Sequence, residues 1–173
     1  MIDDSIKSTL ESVWVLNHEI SSMPGVAFDK KATLNCKNID LIDENITDLG
    51  LRKVVTKLFK DGHHARAVEE AFKYIDNLVK KTAKPKNNGL TGVKLMAAVF
   101  NPTSPLLRFN SGSTQSETDE QNGYMQILSG CMLGIRNPRA HEHDWEDTEQ
   151  RALQLLIFAD HLVTRIKGAE KVP

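Results

Sequence analysis

The sequence predicts an all-α fold, a helical bundle, and three observations carry that expectation. Apolar residues recur in steps of three and four along several long segments, the period of an amphipathic helix. Clusters of Pro, Gly, Asn and Ser punctuate those segments at 23–25, 83–89 and 101–113, where chain turns belong. No pair of segments alternates apolar and polar residues about a tight turn as a β-hairpin would, and no internal repeat is present. With 173 residues, the chain can enclose one ordinary core with a short appendage.

In chain order, "DDSIKSTLESVWVLNHEISS" spaces Ile6, Leu10, Val13 and Leu16 helically and stops before Met23-Pro24-Gly25. Residues 26–42, with Ala27, Phe28 and Leu34, follow no decisive period and read as strand or loop. "IDENITDLGLRKVVTKLFK" predicts a helix through Ile46, Leu49, Val54, Leu58 and Phe59. Asp61 then reads as the N-cap of the clearest helix, with Ala65, Val68, Phe72, Ile75 and Val79 on one face. Thr91 caps a short helix, and residues 101–117 form a long irregular loop, a length that suggests a functional role such as a lid. A second strong helix spans about Thr118 to Ile135 and is expected to bury Tyr124, Ile127, Leu128, Cys131 and Ile135. A third runs from near Asp144 to about Lys167, its acidic first turns suiting the helix dipole. The expected division is an N-terminal helical segment over 1–60 and a helical bundle domain over 61–173.

Composition excludes several classes. The net charge is −1, so bulk charge argues for no polyanionic coat. No run approaches the roughly 18 apolar residues of a membrane span, so no membrane partner is expected. The first residues, MIDDSIKSTL, lack the apolar core of a secretory signal. Cys36 and Cys131 match no metal spacing and fit a reducing compartment, with the cytoplasm the expected location. Charge is nevertheless uneven. Residues 52–86 carry an excess of six positive charges, and residues 114–149 an excess of six negative ones. Lys80, Lys81, Lys84 and Lys86 are the expected sequence-independent phosphate contacts, against the plain reading of a solvated helix face.

The densest chemistry is in "GIRNPRAHEHDW", which gathers Arg136, Asn137, Arg139, His141 and His143 directly after an apolar helical pattern. Pro138 offers no amide and disfavours the α region for Asn137, so the preceding helix should end or kink beside Arg136. An uninterrupted helix would turn Arg136 and His141 about 140° apart. A break frees them to converge between the second and third long helices. A fixed cation beside an imidazole that titrates near neutrality suits phosphate chemistry. Two plainer readings stand beside it: Arg136 as a cap for helix-end carbonyls, and His141 as a hydrogen-bonded histidine in a turn.

Arg136-Asn137-x-x-x-His141 resembles the R-x4-H motif of HEPN ribonucleases. "GLTGVKLMAAVFNPTSPLLRF" and "GYMQILSGCMLGIRNPRAHEH" look like the Ymh family of bacterial proteins, grouped with the HEPN superfamily. The likeness covers roughly residues 62–167. It implies a HEPN-like helical bundle, commonly a homodimer with the two motifs facing a shared cleft. It also implies metal-independent endoribonuclease activity, with the ribose 2′-hydroxyl as nucleophile and a role in phage defence, toxin–antitoxin systems or stress response. In that scheme His141 is the general base, its symmetry mate the acid, Arg136 the donor to phosphate oxygens, and Asn137 an orienting amide. Arg139 and His143, with Lys80 and Lys81, are expected to touch RNA. No cofactor and no metal are implied. An antitoxin or activating partner is expected, because an unrestrained ribonuclease harms its own cell. The alternative is a catalytically silent HEPN-like module for dimerisation or for binding RNA or protein.

Among rival sites, "HEHD" at 141–144 lacks the i, i+4 spacing that sets two imidazoles on one helix face for a metal. Glu69, Glu70 and Asp76 would position His141 if their helix faced it, and His63 and His64 beside Arg66 would widen a cationic surface. Trp14 and Trp145 read as packing residues.

Overall fold

The computed structural model describes residues 41–84 and 89–172, and the fold they form is all-α. The expectations for the helix at 3–22, for Trp14, Cys36 and Lys86, and for most of residues 26–42, lie outside the described residues. In chain order the elements are α1 (Leu41–Asn45), α2 (Leu49–Lys60), α3 (His64–Ala83), α4 (Gly92–Val99), β1 (Leu107–Arg108) and α5 (Gln115–Gly130). A π-helical segment (Cys131–Arg136), α6 (Asn137–His141), α7 (Glu149–Lys167) and β2 (Glu170–Lys171) complete them. No helix among the described residues is long and apolar enough to cross a membrane.

α3 is the central helix and packs against α2, α4, α6, α7 and the π segment. Its apolar stripe, Val68, Phe72, Ile75 and Val79, is fully buried, as its period predicts. α7 meets it with Leu156, Ala159, Val163 and Ile166. α2 buries Leu51, Val55 and Phe59, so its core face is an i, i+4, i+8 row. Leu49 and Val54 face solvent instead. Because α2 packs on α3, and the compact unit begins at Asp40, the expected boundary at 60/61 falls inside one folded unit. Ile127, expected in the core, is 42% exposed on the outer side of α5.

Buried carboxylates from neighbouring helices brace two helix starts. Asp160 of α7 accepts from the Thr47 amide at 3.0 Å, the Thr47 hydroxyl at 2.7 Å and the Asp48 amide at 2.8 Å, fixing the start of α2. Asp76 of α3 accepts from the Gly92 amide at 2.7 Å and the Thr91 hydroxyl at 3.2 Å, which anchors the start of α4. Thr91 thus caps α4 by position only, and the acceptor for the Gly92 amide is a carboxylate one helix away.

Three helix starts shift from their expected places. Asp61 closes α2 rather than opening α3: Gly62 (φ +80°) lets the Gly62 and His63 amides donate back to Phe59 and Leu58, a Schellman turn. α5 begins at Gln115, because Thr114 and Glu117 form a reciprocal capping box. α7 begins at Glu149 behind the Thr148 cap, which leaves Asp144, Glu146 and Asp147 in the preceding loop. The loop at 101–117 is held down by buried Gln121, whose amide bonds Phe100 and Leu107 carbonyls and the Phe109 amide. It contains β1, which pairs antiparallel with β2, Leu107 opposite Lys171.

Candidate functional site

The helix does not end at Pro138. Arg136 (φ −72°, ψ −49°) and Asn137 (φ −63°, ψ −43°) are both right-handed helical. The disruption lies upstream, where Cys131–Arg136 widens into a π turn and the Asn137 amide donates to Met132, five residues back. A proline within an α-helix clashes with the carbonyl four residues earlier and strands an acceptor. The wider π turn moves that carbonyl away, so the chain continues.

This overturns the expected convergence. From Arg136 to His141 the backbone is regular helix, so the two side chains project about 140° apart. Arg136 is half-buried, and its Nη1 donates to Asn137 Oδ1 at 3.1 Å. It is not among the residues that line the pocket beside His141.

Arg139 is also corrected. It is buried, and its Nε and Nη2 donate to the two Asp147 carboxylate oxygens at 2.6 and 2.7 Å. Its Nη1 donates to the Ile135 carbonyl at 2.7 Å, and Trp145 lies 5.4 Å from the guanidinium as a cover. With its donors committed, Arg139 ties α6 to the loop before α7 and leaves the set of RNA contacts. Trp145 serves packing, as expected.

His141 and His143 line one shallow polar pocket with Arg66 and Glu69 at the start of α3. A second pocket adjoins it, sharing Arg66, His143 and Trp145, and adds His63 and His64. Four imidazoles from two separate chain segments thus surround the N-terminal end of α3. His63, His141 and His143 are exposed, and their imidazoles have no hydrogen-bond partner among the described residues; His64 packs its ring 5.1 Å from Phe59. Acidic Glu142, Asp144 and Glu146 also line these walls. Among the described residues, no group of three or more His, Cys, Asp or Glu could hold a metal ion.

Glu69, although in the pocket wall, is taken by Arg66 at 2.6 Å and Lys73 at 2.7 Å, and Glu70 binds the same two cations. Lys80 is paired with Asp76 at 2.6 Å. Lys80 and Lys81 lie near the far end of α3, about 21 Å along the axis from Arg66, so one protomer does not bring them to the imidazoles. Cys131 is buried, which pushes its thiol up to about 11 and keeps it protonated and inert at neutral pH.

Sequence reasoning missed Asp147, whose role shows only once the loop folds back, and the exposed basic face of α2. No curated protein and no solved structure matches the chain. The family model described as "Protein of unknown function (Hypoth_ymh)" matches residues 47–166, which takes in α2 through most of α7 and both pockets. The chain belongs to the Hypoth_Ymh family.

Proposed function

We propose that this protein is a metal-independent endoribonuclease of HEPN type. The observation that carries the reading is the gathering of His63, His64, His141 and His143 in two adjoining pockets beside Arg66. An imidazole with an ordinary value near 6.5 serves as base or acid near neutrality. His141 takes the 2′-hydroxyl proton, the 2′-oxygen attacks the adjacent phosphorus, and a protonated imidazole gives its proton to the departing 5′-oxygen. His143, in the same pocket, is close enough in the chain to be that acid. Arg136 and Asn137 stabilise the phosphate as charge builds on its free oxygens.

Because Arg136 and His141 project from different sides of one helix, a complete site needs a second copy, so the working form is a homodimer. Leu133, 63% exposed, and Ile127 give the outer face of α5 and the π segment an apolar surface suited to that contact. The same surface favours the second reading, a silent module that dimerises or binds a partner. Restraint by an antitoxin or activating partner, and a setting in defence or stress response, follow from the hazard of the activity.

The two readings separate on one experiment: incubation of labelled tRNA and mRNA with the full chain in EDTA, beside His141→Ala. The enzyme cuts without metal, leaves 2′,3′-cyclic phosphate ends, and loses this on His141→Ala while keeping its oligomeric state. Cutting that persists in the variant, or that needs a divalent ion, sinks the mechanism.

A further inference from the structure

We propose that the solvent face of α2 is a docking surface for the sugar–phosphate backbone of single-stranded RNA. The proposal rests on the ribonuclease reading only for the identity of the polyanion. α2 carries Arg52, Lys53, Lys57 and Lys60 and no acidic residue of its own. All four line one open groove together with Thr56, the exposed Leu49 and a single acid, Asp61, at its end, while Leu51, Val55 and Phe59 hold the opposite side in the core. The row from Lys53 to Lys60 runs about 10 Å along the helix.

Unneutralised charge separates this face from the other basic helix. On α3, Arg66, Lys73 and Lys80 are each paired with Glu69, Glu70 or Asp76 at 2.6 to 3.1 Å, which leaves Lys81 as its one exposed lysine with no acidic partner among the described residues. On α2, Arg52 pairs with Asp43 at 3.5 Å and donates to the Ile46 carbonyl. Lys53 and Lys57 are exposed and have no acidic partner among the described residues. Complementing the helix dipole accounts for Lys57 and Lys60 in the last turn, but not for Lys53. Lys53 and Lys57, uncompensated among the described residues, are suited to phosphates, whose binding releases counterions.

Position agrees with charge. The Schellman turn at Gly62 carries the Lys60 end of the row directly into His63 and His64. A strand lying along α2 is therefore led to the imidazole cluster. An anionic membrane surface fits less well, because a helix lying in a bilayer interface turns an apolar face to lipid. The apolar face of α2 is already buried.

The test measures binding apart from cleavage. The full chain is titrated into a fluorescent, 2′-O-methylated oligonucleotide of about 12 nucleotides, which lacks the hydroxyl nucleophile. Anisotropy is followed from about 50 to about 200 mM salt. In Lys53→Gln/Lys57→Gln, affinity at low salt falls about tenfold or more, and the slope of log affinity on log salt shrinks by about 1.4, or about 0.7 per lost contact. Lys94→Gln, at an exposed position of α4, leaves both unchanged. A wild-type chain that does not bind, or a double variant that binds like wild type, overturns the proposal. Preference for phosphatidylserine vesicles over the oligonucleotide, lost in the double variant, overturns it in favour of a membrane. Salt-sensitive binding lost in the double variant, in a chain that cuts no unmodified RNA, upholds the surface and removes the ribonuclease reading.

Discussion

Arg136 and Arg139 stand three residues apart in one motif-like stretch and have opposite fates. Arg136 is half-buried, and its guanidinium hydrogen-bonds its neighbour Asn137. Arg139 is bidentate to Asp147, with the two side chains 1% and 0% exposed. Nothing in "RNPRAHEH" separates them, because the deciding partner enters only when the loop at 142–147 folds back over α6. Removing one member of a buried pair leaves the other charged and unpaired, which costs about 3–5 kcal/mol. Arg139→Ala should lower the urea unfolding free energy by about that amount, whereas His141→Ala at an exposed site should stay within about 0.5 kcal/mol of wild type. An Arg139 variant as stable as wild type would mean that the Asp147 carboxylate finds another partner or that the pair contributes nothing net.

At the scale of elements, long amphipathic helices were legible and their interruptions were not. The stripes of α3 and α7 appear in the core at the positions their period predicts. The proline rule, by contrast, forecast a break at Pro138, and the chain met the same steric conflict by widening one turn upstream. The expected convergence of Arg136 with His141 failed for that reason, since a π turn preserves helical direction where a break would not. The outer side of this element is open: a methyl at Gly130 or Gly134 would meet nothing within 4 Å among the described residues. Alanine at each should therefore stabilise an isolated protomer by about 0.5–1 kcal/mol. If a second copy packs its backbone against this side, the added methyls hold it off. Gly130→Ala/Gly134→Ala should then weaken dimerisation about tenfold or more, a loss of about 1.4 kcal/mol, while raising protomer stability. Sedimentation across a concentration series reads the first effect and urea unfolding the second. Dimerisation unchanged by the pair of methyls would place the contact elsewhere.

At the scale of the whole fold, polar groups tie α2 to α7 across the sequence, and these are the least legible from sequence. Asp48, at the start of α2, accepts from the Leu51 amide at 2.8 Å and the Tyr74 hydroxyl at 3.0 Å, and it pairs with Lys167 at the end of α7. In the sequence each residue looks like any solvent-facing polar side chain, since partners separated by up to 119 positions leave no local pattern. Burial works to raise the Asp48 carboxyl, but the hydrogen bonds from Lys167, Leu51 and Tyr74 outweigh it and hold the group below its usual 3.8. The Asp48 bond and charge raise Lys167 above 10.5. A carboxyl depressed on folding contributes stability that is present above its unfolded value and lost as pH falls through its folded value. A raised lysine contributes stability that is present below its unfolded value and lost as pH rises through its folded one. The latch therefore holds across the neutral range and fails first on the acid side. Asn is as good an N-cap as Asp, so Asp48→Asn keeps the helix start and removes the charge. Wild type should lose more unfolding free energy than Asp48→Asn between about pH 5 and about pH 2, because only wild type has this carboxylate to protonate. Half of the Lys167 side chain is in solvent, 49% exposed, so solvent and salt screen the pair and the difference should shrink in high salt. Parallel acid profiles for the two proteins would show that the ends are held by packing alone, with the Asp160 cap on Thr47 and Asp48 as the remaining polar tie between α2 and α7.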